Sequence, residues 1–451
     1  LGLRGMADYA LSVSYLDDGE PIEGSKFISK TVSANLGLVL SDRMELRTTL
    51  RYADLRSETF PDDSGGPELA VIRSTEERRP NQLTLGINLT HSPFRWWDYS
   101  LRAGVYNNED EISSPGVAPG QRDPFGIPPS NTDTSFTRYE AGLINRFSLA
   151  ERVTVALGAE LRLEEGSSHG DLLIEESKVP TSFDLERKTW APFLEVQLFP
   201  WPNLLIQAGV RIDFPDDFGH EISPRLGASY SIETTGTVLR GSWGKGFKLP
   251  SFFALGNPIV GNPDLVPEKS RSFDIGVTQN LLKDRVSLGV NYFYSEYINL
   301  VDFEEGPPPR LVNRPEVTSQ GVEMIMNVHP YEALRINGHL TYADTNIRDT
   351  EEELRNRPKW WGGFSLLWRP LRAIEVNLNG TYVGKVLDSS IPTGDVTLDP
   401  YARFDLAATW RVHEKLRIFL VVENLFDADY EQFVGFPAPG IGPRVGLHYT
   451  F

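Results

Sequence analysis

Chemistry needs reactive side chains at matched spacing, and this chain offers few of them. It has no cysteine, which removes thiolate metal ligands, disulfides and cysteine nucleophiles. Its seven histidines are scattered. No two of them stand at zinc-ligand spacing, so no metal site is expected. "GKGFK" (Gly244 to Lys248) has the look of a phosphate loop. It lacks the G-x-x-x-x-G-K-[ST] spacing, and no helical pattern follows it. The acidic runs "PDDSGG" (Pro61 to Gly66) and "NEDEIS" (Asn108 to Ser113) present oxygens that calcium would accept. Neither has the ligand order of an EF-hand, and both read as solvated acidic loops. No serine, histidine and acid form a coherent triad, so no catalytic residue and no cofactor is expected.

What remains is pattern. In "ALRINGHLTY", Leu334, Ile336, Leu340 and Tyr342 share one strand face, and Arg335, Asn337, His339 and Thr341 share the other. The chain ends the same way, with Val445, Leu447, Tyr449 and Phe451 opposite Gly446, His448 and Thr450. Such alternation recurs throughout, with no sustained helical period. Very short connections, such as Ser41 to Arg43, Pro200 to Asn203 and Lys283-Asp284, alternate strictly with long polar ones, such as "FALGNPIVGNPDLVPE". The count is about twenty strands, many of about ten residues or more, which is the length a bilayer crossing demands. Sandwich strands average nearer five or six, and their connections cross between sheets. Trp96, Trp97, Trp201, Trp368 and Trp410 all lie beside short connections, as indoles do at a membrane interface. The reading is an all-β, transmembrane antiparallel barrel. The mean hydropathy of −0.29 fits it, because only every second residue meets lipid. No apolar run reaches the ~18 residues of a membrane helix. The net charge of −18 disfavours nucleic acid as a partner.

Three stretches carry a resemblance. "GKGFKLPSFFALGNPIVGNPDLVPEKSRSFDIGV" (Gly244 to Val277) resembles the point in TonB-dependent receptors where a strand enters a loop with GNP-x-L-x-PE, here Gly261, Asn262, Pro263, Pro267 and Glu268. "VENLFDADYE" (Val422 to Glu431) resembles their penultimate strand, with its N-L-F-D-x-x-Y signature in Asn424, Leu425, Phe426, Asp427 and Tyr430. "RVGLHYTF" resembles their closing strand, with Tyr449 and Phe451 as its outer-membrane signal. "SPRLGASY" (Ser223 to Tyr230) and "GVEM" (Gly321 to Met324) are further matches. The resemblance implies a barrel of about 22 strands around an N-terminal plug. "DYALSVSY" looks like the family's third strand. Residues 1–451 are therefore expected to be barrel alone, with the plug and the first two strands missing from the chain as given. The opening "LGLRGMADYALSVSYLDDG" has no signal peptide and enters almost directly on a strand. An incomplete wall would leave two unpaired edges in hydrocarbon, so omitted sequence, a cleaved piece or a partner chain is expected to close it.

By resemblance, the function is active uptake of a scarce, bulky nutrient across the outer membrane of a Gram-negative bacterium. The cargo would be a small-molecule chelate, cobalamin-like or a ferric siderophore. The implied partners are the TonB complex, acting through the plug, together with outer-membrane lipid and lipopolysaccharide. Candidate ligand contacts are the loop residues Phe125, Phe252, Phe253, Arg310 and Phe433; loop packing or lipopolysaccharide contact is the plainer reading of each. Two rivals remain. A passive porin-like channel would use the stretch Asn108 to Asp133 as a constriction and would show steady conductance. A barrel enzyme would need a triad that the sequence does not offer.

Overall fold

The computed structural model describes residues 2–4, 6–174, 177–304, 309–350 and 353–450. Phe451 lies outside the described residues. The described residues are nearly all strand, with one 22-stranded antiparallel sheet, two small hairpins and two short helices among them, Gly66–Leu69 and Phe252–Gly256. From Ala7–Asp17 to Gly442–Tyr449 the wall is a meander in which each long strand pairs with the next. Its tight turns fall where the short connections predict them: Ser41 meets Met44, Trp201 meets Leu204, and Leu371 meets Ile374.

Register fixes the two faces. Glu160 pairs with Gly142 and Ala191, Arg162 with Glu140 and Thr189, and Glu164 with Arg138 and Arg187. These share the inner face. Leu157, Leu161, Leu194 and Leu226 lie on the other face and are exposed, as a lipid-facing surface must be. Val445, Leu447 and Tyr449 continue that face along the last strand. The expected tryptophans ring the turn end, and the structure adds a second aromatic level. Trp190 stacks on Phe214 at 4.2 Å, and Tyr342 meets Trp360 at 4.8 Å. Trp190 and Trp201 sit about eleven residues apart on one strand, which at about 3.3 Å per residue and a tilt of about 40° separates the levels by roughly 28 Å.

The strands run well past the bilayer. Val153–Ile174 and Arg310–Tyr331 have 22 residues each. Asn108–Ser113, expected in a loop, extends the strand Trp97–Ser114, so the loop proper is 115–129. The reason is local: Asp110 is held by Arg78 at 2.6 Å, and polar cross-strand pairs keep the ladder intact in water.

The sheet curls until loops from its two ends touch. Arg122 in loop 115–129 reaches Asp63 at 2.8 Å, and its backbone N–H donates to the Ile391 carbonyl at 3.0 Å. Ile391 N–H donates to Asp63 O at 2.8 Å, Val434 N–H to Asp388 Oδ2 at 2.8 Å, and Glu68 N–H to Gly435 O at 3.3 Å. Phe60 and Ile391 are buried beneath this cap. Gly435 adopts φ 74, and a Cβ there would lie 1.9 Å from Gly65 O, so only glycine allows the loops to meet. Among the described residues no ladder joins Gly2–Arg4 to Gly442–Tyr449.

The cap carries a pH-dependent contact. Lost hydration, then the neighbouring carboxylates of Glu431 and Asp429, push the Glu68 carboxyl above its ordinary range. An acid raised in the folded state contributes most below its unfolded pKa, and the contribution is lost as pH rises through the folded value. The contact between 66–69 and 431–437 is therefore expected to loosen as pH rises from the ordinary carboxylate range through the raised value of Glu68. Glu68→Gln should hold it closed across that range. Amide exchange in 431–437 measures this, and an unchanged pH profile in Glu68→Gln would exclude Glu68 as the group responsible.

Candidate functional site

The inner wall and one inward-folded loop line an open cavity of about 580 Å³. The loop is 249–267, and its own sequence explains its path. Ser251 caps the helix Phe252–Gly256, its Oγ accepting from Ala254 N–H at 3.1 Å. Asn257 Oδ1 then accepts from Ile259 and Val260 N–H at 2.9 and 3.1 Å, which turns the chain. A Cβ on Gly261 would meet Asn257 O at 2.3 Å. Asn262 is buried and works in three directions. Its N–H donates to Ala254 O at 2.7 Å, its Nδ2 to Leu311 O at 2.9 Å, and its Oδ1 accepts from Arg310 Nη2 at 2.7 Å. Glu268 ends the loop by accepting from Val301 N–H at 2.9 Å and pairing with Lys248 at 3.2 Å. The GNPDLVPE stretch is thus a strut that aims the short helix at the wall.

The helix lands on Gly166. Any Cβ at that position would sit 2.2 Å from the Phe252 ring, so the glycine makes the seat. Phe136 packs on Phe252 at 6.2 Å. Arg187 lies between the rings of Phe252 and Phe218, 4.8 and 5.5 Å from their centroids, a cation–π clamp. Its Nη2 donates to Pro250 O at 2.9 Å. Phe183 and Phe253 complete the aromatic side of the cavity.

The charged lining divides into paired and unpaired groups. Arg138 holds Glu164 through two bonds of 2.9 and 2.7 Å. Asp213 is gripped by Arg211 at 2.9 Å, and Arg211 also reaches Glu160, which Arg102 holds from the other side. Arg162 has no hydrogen bond or ion pair among the described residues, although it lines the cavity. Arg187 is 6% exposed and Thr189 4% exposed, and Arg187 Nε and Thr189 Oγ1 have no partner. Neither Arg162 nor Arg187 makes an ion pair among the described residues, although the carboxylates of Glu164, Asp217 and Asp216 act on Arg187 through space. Among the described residues no cluster of histidine and acid could hold a metal.

Of the contacts expected from sequence, Phe252 and Phe253 line the cavity. Arg310 braces the strut through Asn262 and Asp264 and does not line it. Phe125 is 81% exposed on loop 115–129, and Phe433 is exposed on the cap hairpin Glu431–Phe433. Sequence reasoning missed Arg162, Arg187 and Thr189. Their alternate spacing within strands was visible, and only the fold shows that the short helix seals Arg187 in.

Comparison with known proteins gives one consistent picture. A family model described as "TonB dependent receptor-like, beta-barrel" matches residues 16–425. The vitamin B12 transporter BtuB of Vibrio cholerae is 23% identical over 373 residues, covering 81% of this chain and 54% of that protein. The chain thus spans about half the length of that relative. The BtuB of Photobacterium profundum is 25% identical over 449 residues, with 95% of this chain and 67% of the relative covered. In fold, the ferripyoverdine receptor of the Pseudomonas aeruginosa outer membrane matches 100% of this chain and 68% of its own, with TM-score 0.81 at 15% identity. The siderophore receptor PirA of Acinetobacter baumannii matches 99% and 76%, with TM-score 0.78 at 14% identity.

Proposed function

Because the chain belongs to the TonB-dependent receptor family through its β-barrel, we propose that it is the wall of a transporter that takes up a scarce, bulky nutrient. The barrel sits in the outer membrane, and the family is one of receptors and transporters, not enzymes. The cargo is a cobalamin-like molecule or a ferric siderophore or similar metal chelate, in line with what the named relatives carry. A plug within the barrel transmits the pull of TonB, and a further segment closes the wall between its two end strands. The observation that carries this reading is the family match along an uninterrupted meander from 16 to 425. The inward loop supports it, because its residues from Phe247 to Phe253 line a ligand-sized space against the inner wall.

The test is uptake by cells that express the full-length gene and lack their own receptors. Labelled vitamin B12 and ferric siderophores should accumulate only when TonB is present. Accumulation without TonB, with large steady conductance of the purified protein in planar bilayers, would instead establish the passive channel.

A further inference from the structure

Buried cations are costly unless paired, and proteins leave few buried polar groups without partners. The cavity under loop 249–267 departs from that rule on one side only. Its carboxylates, Glu164 and Asp213, are already held by Arg138 and Arg211. Lys248 is held by Glu268. Half-buried Arg162, with no bond among the described residues, and buried Arg187, whose Nη2 donates to Pro250 O but whose Nε has no partner, remain, with the Thr189 hydroxyl between their strand positions: Thr189 pairs across the ladder with Arg162 and sits two residues from Arg187. The rings of Phe136 and Phe183 on the same wall, and of Phe252 on the loop, line the space with them. One aromatic-walled space of about 580 Å³ thus holds Arg162 without an ion pair and Arg187 with an unpartnered Nε, while its two carboxylates are each taken by another arginine. That volume suits a small molecule, and a mostly aromatic lining with a few convergent polar groups is how such molecules are bound.

We infer that this cavity is a subsite for an oxyanion, a carboxylate or phosphate group borne on an apolar or aromatic body. Arg162 takes the oxygens as a planar donor fork, Arg187 adds the donors that Pro250 O leaves free, and Thr189 donates a further hydrogen bond. Phe252 and Phe136 pack the body. The inference rests on the receptor reading for the claim that the oxyanion belongs to transported cargo; its charge and place rest on the cavity alone.

The probe is trimesate, a benzene ring with three carboxylates, titrated calorimetrically into the purified full-length protein in detergent. Its uncharged triamide is the control. Trimesate should bind with one molecule per chain, and the triamide at least about tenfold more weakly. Arg162→Gln should weaken trimesate by roughly ten- to hundredfold while leaving the cap and wall intact. Arg187→Lys, which keeps the charge but gives up the planar fork and its stack between Phe252 and Phe218, should weaken it as well. Equal binding of both probes overturns the inference. So does no binding to the native protein, as would follow if a carboxylate of the protein itself filled the site. Trimesate binding that neither substitution alters places the anion elsewhere and overturns it too. TonB-dependent uptake without trimesate binding removes this inference alone. Trimesate binding without uptake removes only the transport reading.

Discussion

Replacing Asn424 by alanine is expected to release the loop 424–441 and to speed amide exchange in it by about a hundredfold, which corresponds to roughly 3 kcal/mol of local stability. Asn424 is 2% exposed and is the hub of the N-L-F-D-x-x-Y stretch. Its Nδ2 donates to Ala428 O at 2.9 Å and to Pro439 O at 3.1 Å, while its Oδ1 accepts from Ala428 N–H at 2.8 Å. Its own N–H is taken by Asp405 Oδ1 at 2.8 Å. Alanine strands three backbone groups, and each buried orphan costs about 1–3 kcal/mol before water reaches it. Asn424 also sits at φ 48, where asparagine is tolerated and alanine is disfavoured. The damage should stay local. Tyr430 would lose its 3.9 Å stack on Tyr401, and the cap would lose the contacts of Val434 with Asp388 and of Gly435 with Glu68. Asn424→Asp keeps the acceptor and the backbone tolerance but loses both donors, so it should fall between. Exchange at 428–441 no faster than in the native protein would show that the wall alone orders this loop.

The same stretch shows how far a sequence can be read. Turn-forming Asn424, Asp427 and Asp429 announce a bend, and the structure places Asn424 and Asp427 at positive φ, with Asp427 accepting from Ile441 N–H at 2.9 Å. Within the bilayer the alternation is enforced by two solvents, so register and facing are legible from residue type alone. Leu334 to Tyr342 face lipid on alternate residues as their polarity demands. Above the bilayer that enforcement lapses. In the strand Phe183–Trp201, apolar Phe183 and Leu185 share the inner face with Arg187, while charged Asp184, Glu186 and Lys188 face outward. The polarity of the two faces has inverted, because water now lies outside and a packed loop inside. A reader who carries one facing rule along the whole strand misassigns its upper end, and the cavity is built there. The short helix Phe252–Gly256 was hidden for a related reason. One turn is too short for a period, and its sole local signal was Ser251 ahead of the apolar run.

Leu226→Arg, on the lipid-facing side of the strand Glu221–Ile232, is expected to cost about 2–4 kcal/mol in vesicles, as a cation near the bilayer midplane does in such barrels. Leu226 is 52% exposed and pairs with Ala208 and Trp243, all on the outer face. The strand leaves about five residues on either side of it, so at about 3.3 Å per residue the guanidinium cannot easily snorkel to either interface. Gln207→Arg introduces the same group on the strand alongside but turned to the inner face, opposite Gln197 and Gly227. It meets polar neighbours and should change stability by no more than about 0.5 kcal/mol. Urea unfolding of both variants from the same vesicles, compared with the native protein, isolates direction from chemistry. In detergent micelles, which thin and deform around a charge, the gap between the two should shrink. The contrast is demanding because neighbouring strands in the same turn pair supply both positions. A soluble sheet with this sequence would expose both faces to water and tolerate arginine at Leu226 as readily as at Gln207. Equal costs at the two positions would therefore refute the assignment of outside to lipid, and with it the placement of Arg162 and Arg187 in the interior.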